Sequence, residues 1–376
     1  MAEKGVVYLL IVVVCFFLGG VAGLVMHRSD YCIAGMFRDF FLFGETLRLR
    51  SLLLLVVASM VLFEMARQLG YITLYPFPLL GSPSLANLFG GALLGAGMVL
   101  AGGCVVGTLY RLGSGSLLSV LALAGLVAGS ALYAEVHPWW GELVRNTTFF
   151  PGIVTLPQLL GIEPGLLVGA VVLAAGYPFW RWYRQGKWSR QTSVEGYLQP
   201  WKAALALALV GLVSYLAVGM PMGITTAYAK AGAFLEQLVM PEHVAGLAYF
   251  QGVPLDYTAP LGGVVLQGGA GPRFDAIALI QFPLIGGIVL GAAFSALRLG
   301  EFRIYLRVPW RQALSALAGG LIMGLAARMA PACNVWHLLG GVPILGMQSM
   351  LFVAGMVPGA WLGSRILTGL VLKSSR

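Results

Sequence analysis

Four cysteines, Cys15, Cys32, Cys104 and Cys333, carry most of the chain's capacity for chemistry, and they lie far apart in the sequence. A thiol is a weak S–H donor with a polarisable sulfur. No Cys-x-x-Cys pair is present, so neither a zinc knuckle nor a dithiol redox pair is indicated. The four settings differ. Cys15 is enclosed in Val-Val-Val-Cys-Phe-Phe, where a free cysteine acts as a small hydrophobe. Cys104 follows Gly102-Gly103 and precedes Gly107, while Cys333 sits between Pro331 and Asn334. Cys32 lies in a short apolar piece, with Gly35 just after it, between Asp30 and Arg38-Asp39. Three of the four therefore stand where a helix must break. Bare backbone amides and helix N-terminal dipoles at such breaks favour an anion. Fixed Lys or Arg would hold that anion too tightly for passage, because conduction needs sites weak enough to release it. Polarisable thiols in a narrow path suit a soft, sulfur-bearing anion better than chloride or a hard oxyanion.

The elements that position these thiols are set by composition. Of 376 residues, 59% are hydrophobic and 10% are charged, against about 25% charged in an ordinary globular domain. With 23 basic and 14 acidic residues the chain cannot cover a water-facing surface. Secreted globular domains, disordered tails and coiled coils are excluded, and the surrounding solvent is the lipid bilayer. The net charge of +9 does not indicate nucleic acid, since no basic stripe carries interleaved aromatics. Arg181, Arg184, Lys187, Arg190 and Lys202 instead gather in one loop, and Arg298, Arg303, Arg307 and Arg311 in another, as the positive-inside bias produces.

A helix needs about 20 apolar residues to cross a bilayer. Runs of that kind cover 6–26, 51–69, 86–103, 116–136, 164–181, 201–219, 275–298, 312–330 and 345–371, which predicts an all-α polytopic membrane protein with about nine crossings. The pieces at 31–43, 153–162, 220–238 and 335–342 are too short to cross and suit broken or re-entrant helices. Such backbone is tolerated at membrane depth only where protein buries it or where it lines a cavity. With the 181–202 loop in the cytoplasm, alternate crossings bring Arg38, Arg48, Arg50, Arg111, Lys373 and Arg376 to the same side. That assignment puts the N-terminus outside and the C-terminus in the cytoplasm.

The chain also repeats itself. Gly90, Gly91, Gly95 and Cys104 match Gly319, Gly320, Gly324 and Cys333 at one constant offset, and Gly125 and Gly129 match Gly355 and Gly359 with one residue inserted. Cys32-Ile-Ala-Gly-Met-Phe37 resembles Gly223-Ile-Thr-Thr-Ala-Tyr228. The spans leading to Cys104 and Cys333 run in opposite directions, so the expectation is an inverted repeat with halves 1–200 and 201–376 in one membrane domain. In transporters so built the substrate site lies near the midplane at the repeat interface, which brings Cys104 and Cys333 together. The Gly-x-x-x-Gly spacings away from Cys104 read as close helix packing.

Ionisable groups at membrane depth are few. Glu64, Arg67 and Arg328 fall near span ends and read as snorkelling side chains. No acidic relay runs through any span. His27, His137, His243 and His337 are isolated in the sequence, so no metal site and no cofactor is expected; His337, four residues after Cys333, is a candidate to touch the path.

Three stretches now carry a resemblance: Arg28-Ser-Asp-Tyr-Cys-Ile-Ala-Gly-Met-Phe-Arg-Asp39, Ala101-Gly-Gly-Cys-Val-Val-Gly-Thr-Leu-Tyr-Arg111, and Ala332-Cys-Asn-Val-Trp-His337 with Gly340. In these, and as a coarse pattern over nearly the whole chain, the sequence resembles the YeeE/YedE family of thiosulfate-uptake transporters. The resemblance implies an hourglass-shaped inverted repeat whose short helices meet at the waist. It implies a path for thiosulfate along Cys32, Cys104 and Cys333, with Gly35, Gly103, Gly107 and Asn334 beside them, and thiols that make passing S–H hydrogen bonds without covalent chemistry. Ala332 stands where the family usually has glycine, and Trp336 is bulkier than expected beside a path. The implied protein is a permease of the bacterial inner membrane and no enzyme, with a small soluble sulfurtransferase as a candidate cytoplasmic partner. A carrier of another sulfur or selenium species, and a membrane sulfurtransferase working through a cysteine persulfide, are the alternatives.

Overall fold

The computed structural model describes residues 2–189, 196–304 and 307–369, with backbone alone at 2–4. Arg190, Lys373 and Arg376, which the topology argument used, lie outside the described residues. The chain is an all-α polytopic membrane protein. Among the described residues, nine helical stretches are long and apolar enough to cross a membrane, in agreement with the nine expected crossings.

Helix α1 spans Ala2–Ser29 and α2 Ile33–Phe43, with Cys32 between them. Helix α3 covers Leu47–Gln68, α4 Leu85–Leu100, α5 Val105–Gly113 and α6 Leu117–Asn146, and Cys104 separates α4 from α5. The short α7 (Leu156–Leu160) leads into α8 (Pro164–Arg184), which is peripheral: Val168 is its one buried residue. Then follow α9 (Pro200–Val218), α10 (Thr225–Gln237), α11 (Pro241–Gly246) and α12 (Ala248–Gln251). Helices α13 (Ala276–Arg298) and α14 (Trp310–Met329) precede the break at Cys333; one turn, α15 (Asn334–Trp336), then runs into a π-helical turn (His337–Gly341) before α16 (Met347–Leu367). The 238–273 segment also holds an antiparallel hairpin, β1 (Leu255–Thr258) with β2 (Val265–Gly268). Buried Lys230 ties it down, donating to the carbonyls of Gly271 and Arg273 and to Asp275, which caps α13.

Lipid supplies no hydrophobic drive between helices, so close packing of small residues holds the bundle together. A Cβ on Gly91 or Gly95 of α4 would overlap the carbonyls of Phe352 or Met356 on α16. On α14 the same holds for Gly320 and Gly324 against Ala122 and Leu126 of α6. The Gly-x-x-x-Gly pairs Gly91/Gly95 and Gly320/Gly324 are thus packing glycines. The contacts come in reciprocal sets: α4 packs on α16 and α14 on α6, α1 on α13 and α9 on α3, α6 on α10 and α16 on α2. Exchanging α1 with α9, α2 with α10, α3 with α13, α4 with α14 and α6 with α16 converts each contact into its mate.

Candidate functional site

Each of the three cysteines occupies the extended residue that caps a new helical segment after a break. At the first break Asp30 takes a φ of 46° and Tyr31 donates back to Met26 at 3.0 Å, closing α1 before Cys32 opens α2. Asp tolerates this left-handed conformation better than most residues. At the second, Gly102 at a φ of 74° turns the chain and Cys104 caps α5, its Sγ accepting the Gly107 N–H at 3.3 Å. At the third, Ala332 carries a φ of 102° and Cys333 is extended ahead of α15.

The breaks converge. Cys32 and Cys104 are fully buried, and their thiols lie within hydrogen-bonding reach of each other. They meet over Gly107, where an added Cβ would stand 2.7 Å from Cys32 Sγ and 3.3 Å from Cys104 Sγ. Cys333, 1% exposed, lines an apolar cavity of about 20 Å³ together with Tyr31, Ile33, Val106, Met222, Ile224 and Val335. These come from the three cysteine breaks and from the 219–224 turn between α9 and α10, and they fall into matched pairs under the sequence repeat: Tyr31 with Met222, Ile33 with Ile224, Val106 with Val335. A cavity of this size holds about one water molecule, so the waist is closed to any polyatomic anion until side chains move.

The remaining expected residues sit close by in different roles. The amide of Gly35 lies beside the Cys32 thiol, and an added Cβ there would come within 3.9 Å of Arg48. Gly103 packs under the first turn of α5, 3.4 Å from Thr108 N by its added Cβ. Asn334 is fully buried, but its amide turns to Met98 Sδ at 3.6 Å and to its own helix. His337 does not line the cavity: its ring stacks on Phe352 at 3.9 Å and bonds Ser349 at 2.8 Å. The Trp336 indole packs edge-on against Phe77.

Two expectations from the sequence need correction. Arg328 does not snorkel; it is 6% exposed and bonds the hydroxyls of Thr225 and Thr226. The histidines are not isolated once folded. His243 bonds Glu135 at 2.6 Å and Glu236 at 3.3 Å, and His27 bonds Ser295 at 3.1 Å. Glu64, 8% exposed, does not snorkel either: Arg67 holds it in an ion pair and also pairs with Glu163. Sequence spacing also hid a polar girdle under Cys32, where Asp30 accepts from Tyr110 at 2.9 Å and pairs with Arg48 at 3.0 Å and Arg111 at 3.6 Å.

Known proteins similar to this chain are transporters by name. The Thiosulfate transporter TsuA of Spirochaeta thermophila is 29% identical over 365 residues, covering 91% of this chain and 95% of its own. TsuA of Escherichia coli is 25% identical over 364 residues, 92% of each chain. The probable transporter YedE of Escherichia coli matches 41% of this chain and 36% of its own length at 29% identity. The family described as Sulphur transport matches residues 28–362, from the first cysteine motif through most of α16, and the chain belongs to that family.

Proposed function

We propose that the chain is a permease that brings thiosulfate into the bacterial cytoplasm across the inner membrane, through a central path on which Cys32, Cys104 and Cys333 meet the substrate. The observation that carries this reading is the convergence of three capping cysteines on one waist, two of them sharing the space over Gly107. A membrane scaffold has no use for buried thiols at matched helix breaks. Membership of the sulphur-transport family and full-length similarity to two thiosulfate transporters support the substrate.

The reciprocal helix contacts and the matched pairs lining the cavity support two inverted halves, 1–200 and 201–376, with the waist on their common axis. The basic loops support an external N-terminus and a cytoplasmic C-terminus. Thiols with exposed amides bind weakly enough to release, as conduction requires. Thiosulfate carries two negative charges, and entry against the membrane potential costs about 2.3 kcal/mol per charge per 100 mV. A cytoplasmic sulfurtransferase that consumes the anion on arrival offsets this cost.

The test is uptake of ³⁵S-thiosulfate by proteoliposomes holding the purified chain. Wild type should accumulate label, with competition from unlabelled thiosulfate and little from sulfate. Cys104→Ala and Cys333→Ala should abolish most uptake while the protein remains monodisperse. Uptake that is absent in wild type, or intact in both variants, overturns the proposal.

A further inference from the structure

Arg328 ends α14 one turn before Cys333, and a guanidinium at membrane depth demands compensation. Most of the other cations around the breaks have it: Arg48 and Arg111 pair with Asp30, Arg38 with Asp39, and Lys230 with Asp275, whereas half-buried Arg28 at the end of α1 shares with Arg328 a buried Nε that has no partner. Arg328 has only two hydroxyls, Thr226 Oγ1 at 3.0 Å and Thr225 Oγ1, and its buried Nε has no partner. Among the described residues no carboxylate pairs with it. One turn beyond Thr225 on α10, Tyr228 is 4% exposed and its buried hydroxyl also lacks a partner.

These groups adjoin the waist. Thr225 directly follows Ile224, which lines the cavity with Cys333. Arg328 lies within electrostatic range of Cys333, and Tyr228 within range of both Cys333 and Cys104. The charge also breaks the repeat, since Val99 stands at the matching place before Cys104. At this position of the repeat, one turn before the capping cysteine, a cation therefore stands in the second half only.

We propose that Arg328, with Thr225, Thr226 and Tyr228, forms an anion-binding station for a sulfur oxyanion beside Cys333, the substrate supplying the counter-charge that the protein withholds. This rests on the reading of the cysteine waist as a transport path, and the topology above places the station on its outer side. Oxygen atoms of the anion accept from the guanidinium and from the hydroxyls. The terminal sulfur is left to face the softer thiol of Cys333. The single cation concentrates the dianion at the waist, and the thiols beyond it, bearing no fixed charge, let it go.

The test uses the purified full chain with thiosulfate as probe, measuring binding by calorimetry, melting temperature, and uptake by proteoliposomes. Arg328→Gln should weaken thiosulfate binding and raise the half-saturating concentration by about 10- to 100-fold, the effect of losing a charge-assisted hydrogen bond in a buried site. Arg328→Lys, which keeps the charge, should recover most of that loss, and Tyr228→Phe should cost about 3-fold. Without thiosulfate, Arg328→Gln should melt no lower than wild type, because an uncompensated buried charge has been removed. Thiosulfate should then raise the melting temperature of wild type and Arg328→Lys but not of Arg328→Gln.

Unchanged binding in Arg328→Gln, or equal losses in Arg328→Gln and Arg328→Lys, would overturn the station. So would a lower melting point for Arg328→Gln without thiosulfate, which marks a structural role, and unchanged binding in Tyr228→Phe would remove that hydroxyl. A wild type that binds thiosulfate through Arg328 yet transports none would leave the station standing and overturn the permease. Uptake that is intact in wild type and Arg328→Gln alike would do the reverse.

Discussion

The backbone N–H of Gly107 donates to the thiol of Cys104 at 3.3 Å, and the side chain that Gly107 lacks leaves the space into which the Cys32 thiol projects. One glycine thus sets how closely the two sulfurs approach. Gly107→Ala should keep or improve the stability of α5, because alanine is favoured over glycine in a helix by about 1 kcal/mol. Its methyl would nonetheless stand 2.7 Å from Cys32 Sγ, so one thiol must move. A neutral hydrogen bond contributes about 0.5–1.5 kcal/mol, and transport of thiosulfate should fall by up to about tenfold in a variant that is no less stable. Parallel melting and uptake measurements check this; wild-type uptake would remove Gly107 from the path.

How far the sequence led depended on the range of the interactions. Spans were readable because twenty apolar residues have one solution in lipid, and the breaks at Cys104 and Cys333 because Gly102, Gly103 and Pro331 interrupt a helix locally. The Gly-x-x-x-Gly pairs correctly indicated packing, since a small residue every fourth position marks a face. Contacts across the bundle were not legible. Arg328 looked like a snorkelling residue because its distance from the span end is local, whereas its burial depends on α10. Asn334 is expected beside Cys333 on the path, and its amide bond to Met98 on α4 could not be read from a chain in which the two lie far apart. His243 looked isolated because Glu135 and Glu236 are remote in sequence and meet it only in the fold.

Cys15 offers an internal control. It is 3% exposed and lines a second cavity of about 20 Å³, which shares Met222 and Leu284 with the cavity at Cys333. Removing one sulfur from a packed apolar site should cost about 1 kcal/mol. Cys15→Ala should therefore melt slightly lower and transport within about twofold of wild type, well under the tenfold that a 1.4 kcal/mol contact would give. A loss as large as that of Cys104→Ala would mean that the path continues through the second cavity.

The outer loop should respond to pH through His243. Its hydrogen bond to Glu135 raises its pKa above the ordinary 6.5, aided by the charges of Glu135 and Glu236. A raised folded value means that the clamp between α6, α10 and α11 is fully stabilising below the unfolded pKa of about 6.5. The contribution is lost as pH rises through the higher folded value. Wild type should thus show more protection of 236–246 from hydrogen exchange at pH 6 than at pH 9. His243→Gln should abolish that difference; a difference that survives in the variant assigns the effect elsewhere.

Ala332 stands at a φ of 102°, where the family usually has glycine and a side chain is strained. Such strain costs of the order of 1–3 kcal/mol, while glycine loosens the unfolded chain by about 0.4–1 kcal/mol. Ala332→Gly should therefore be stabilising by roughly 1 kcal/mol on balance. Two backbone hydrogen bonds keep the segment in place without the methyl group, Ala332 N–H to Ala327 O at 3.0 Å and His337 N–H to Cys333 O at 3.1 Å. Uptake should accordingly be retained as the melting temperature rises. If uptake falls while the protein becomes more stable, the strain at Ala332 is what presents Cys333 to the waist, and the third thiol is held in position by a cost that the other two breaks, turned by Asp30 and Gly102, largely avoid.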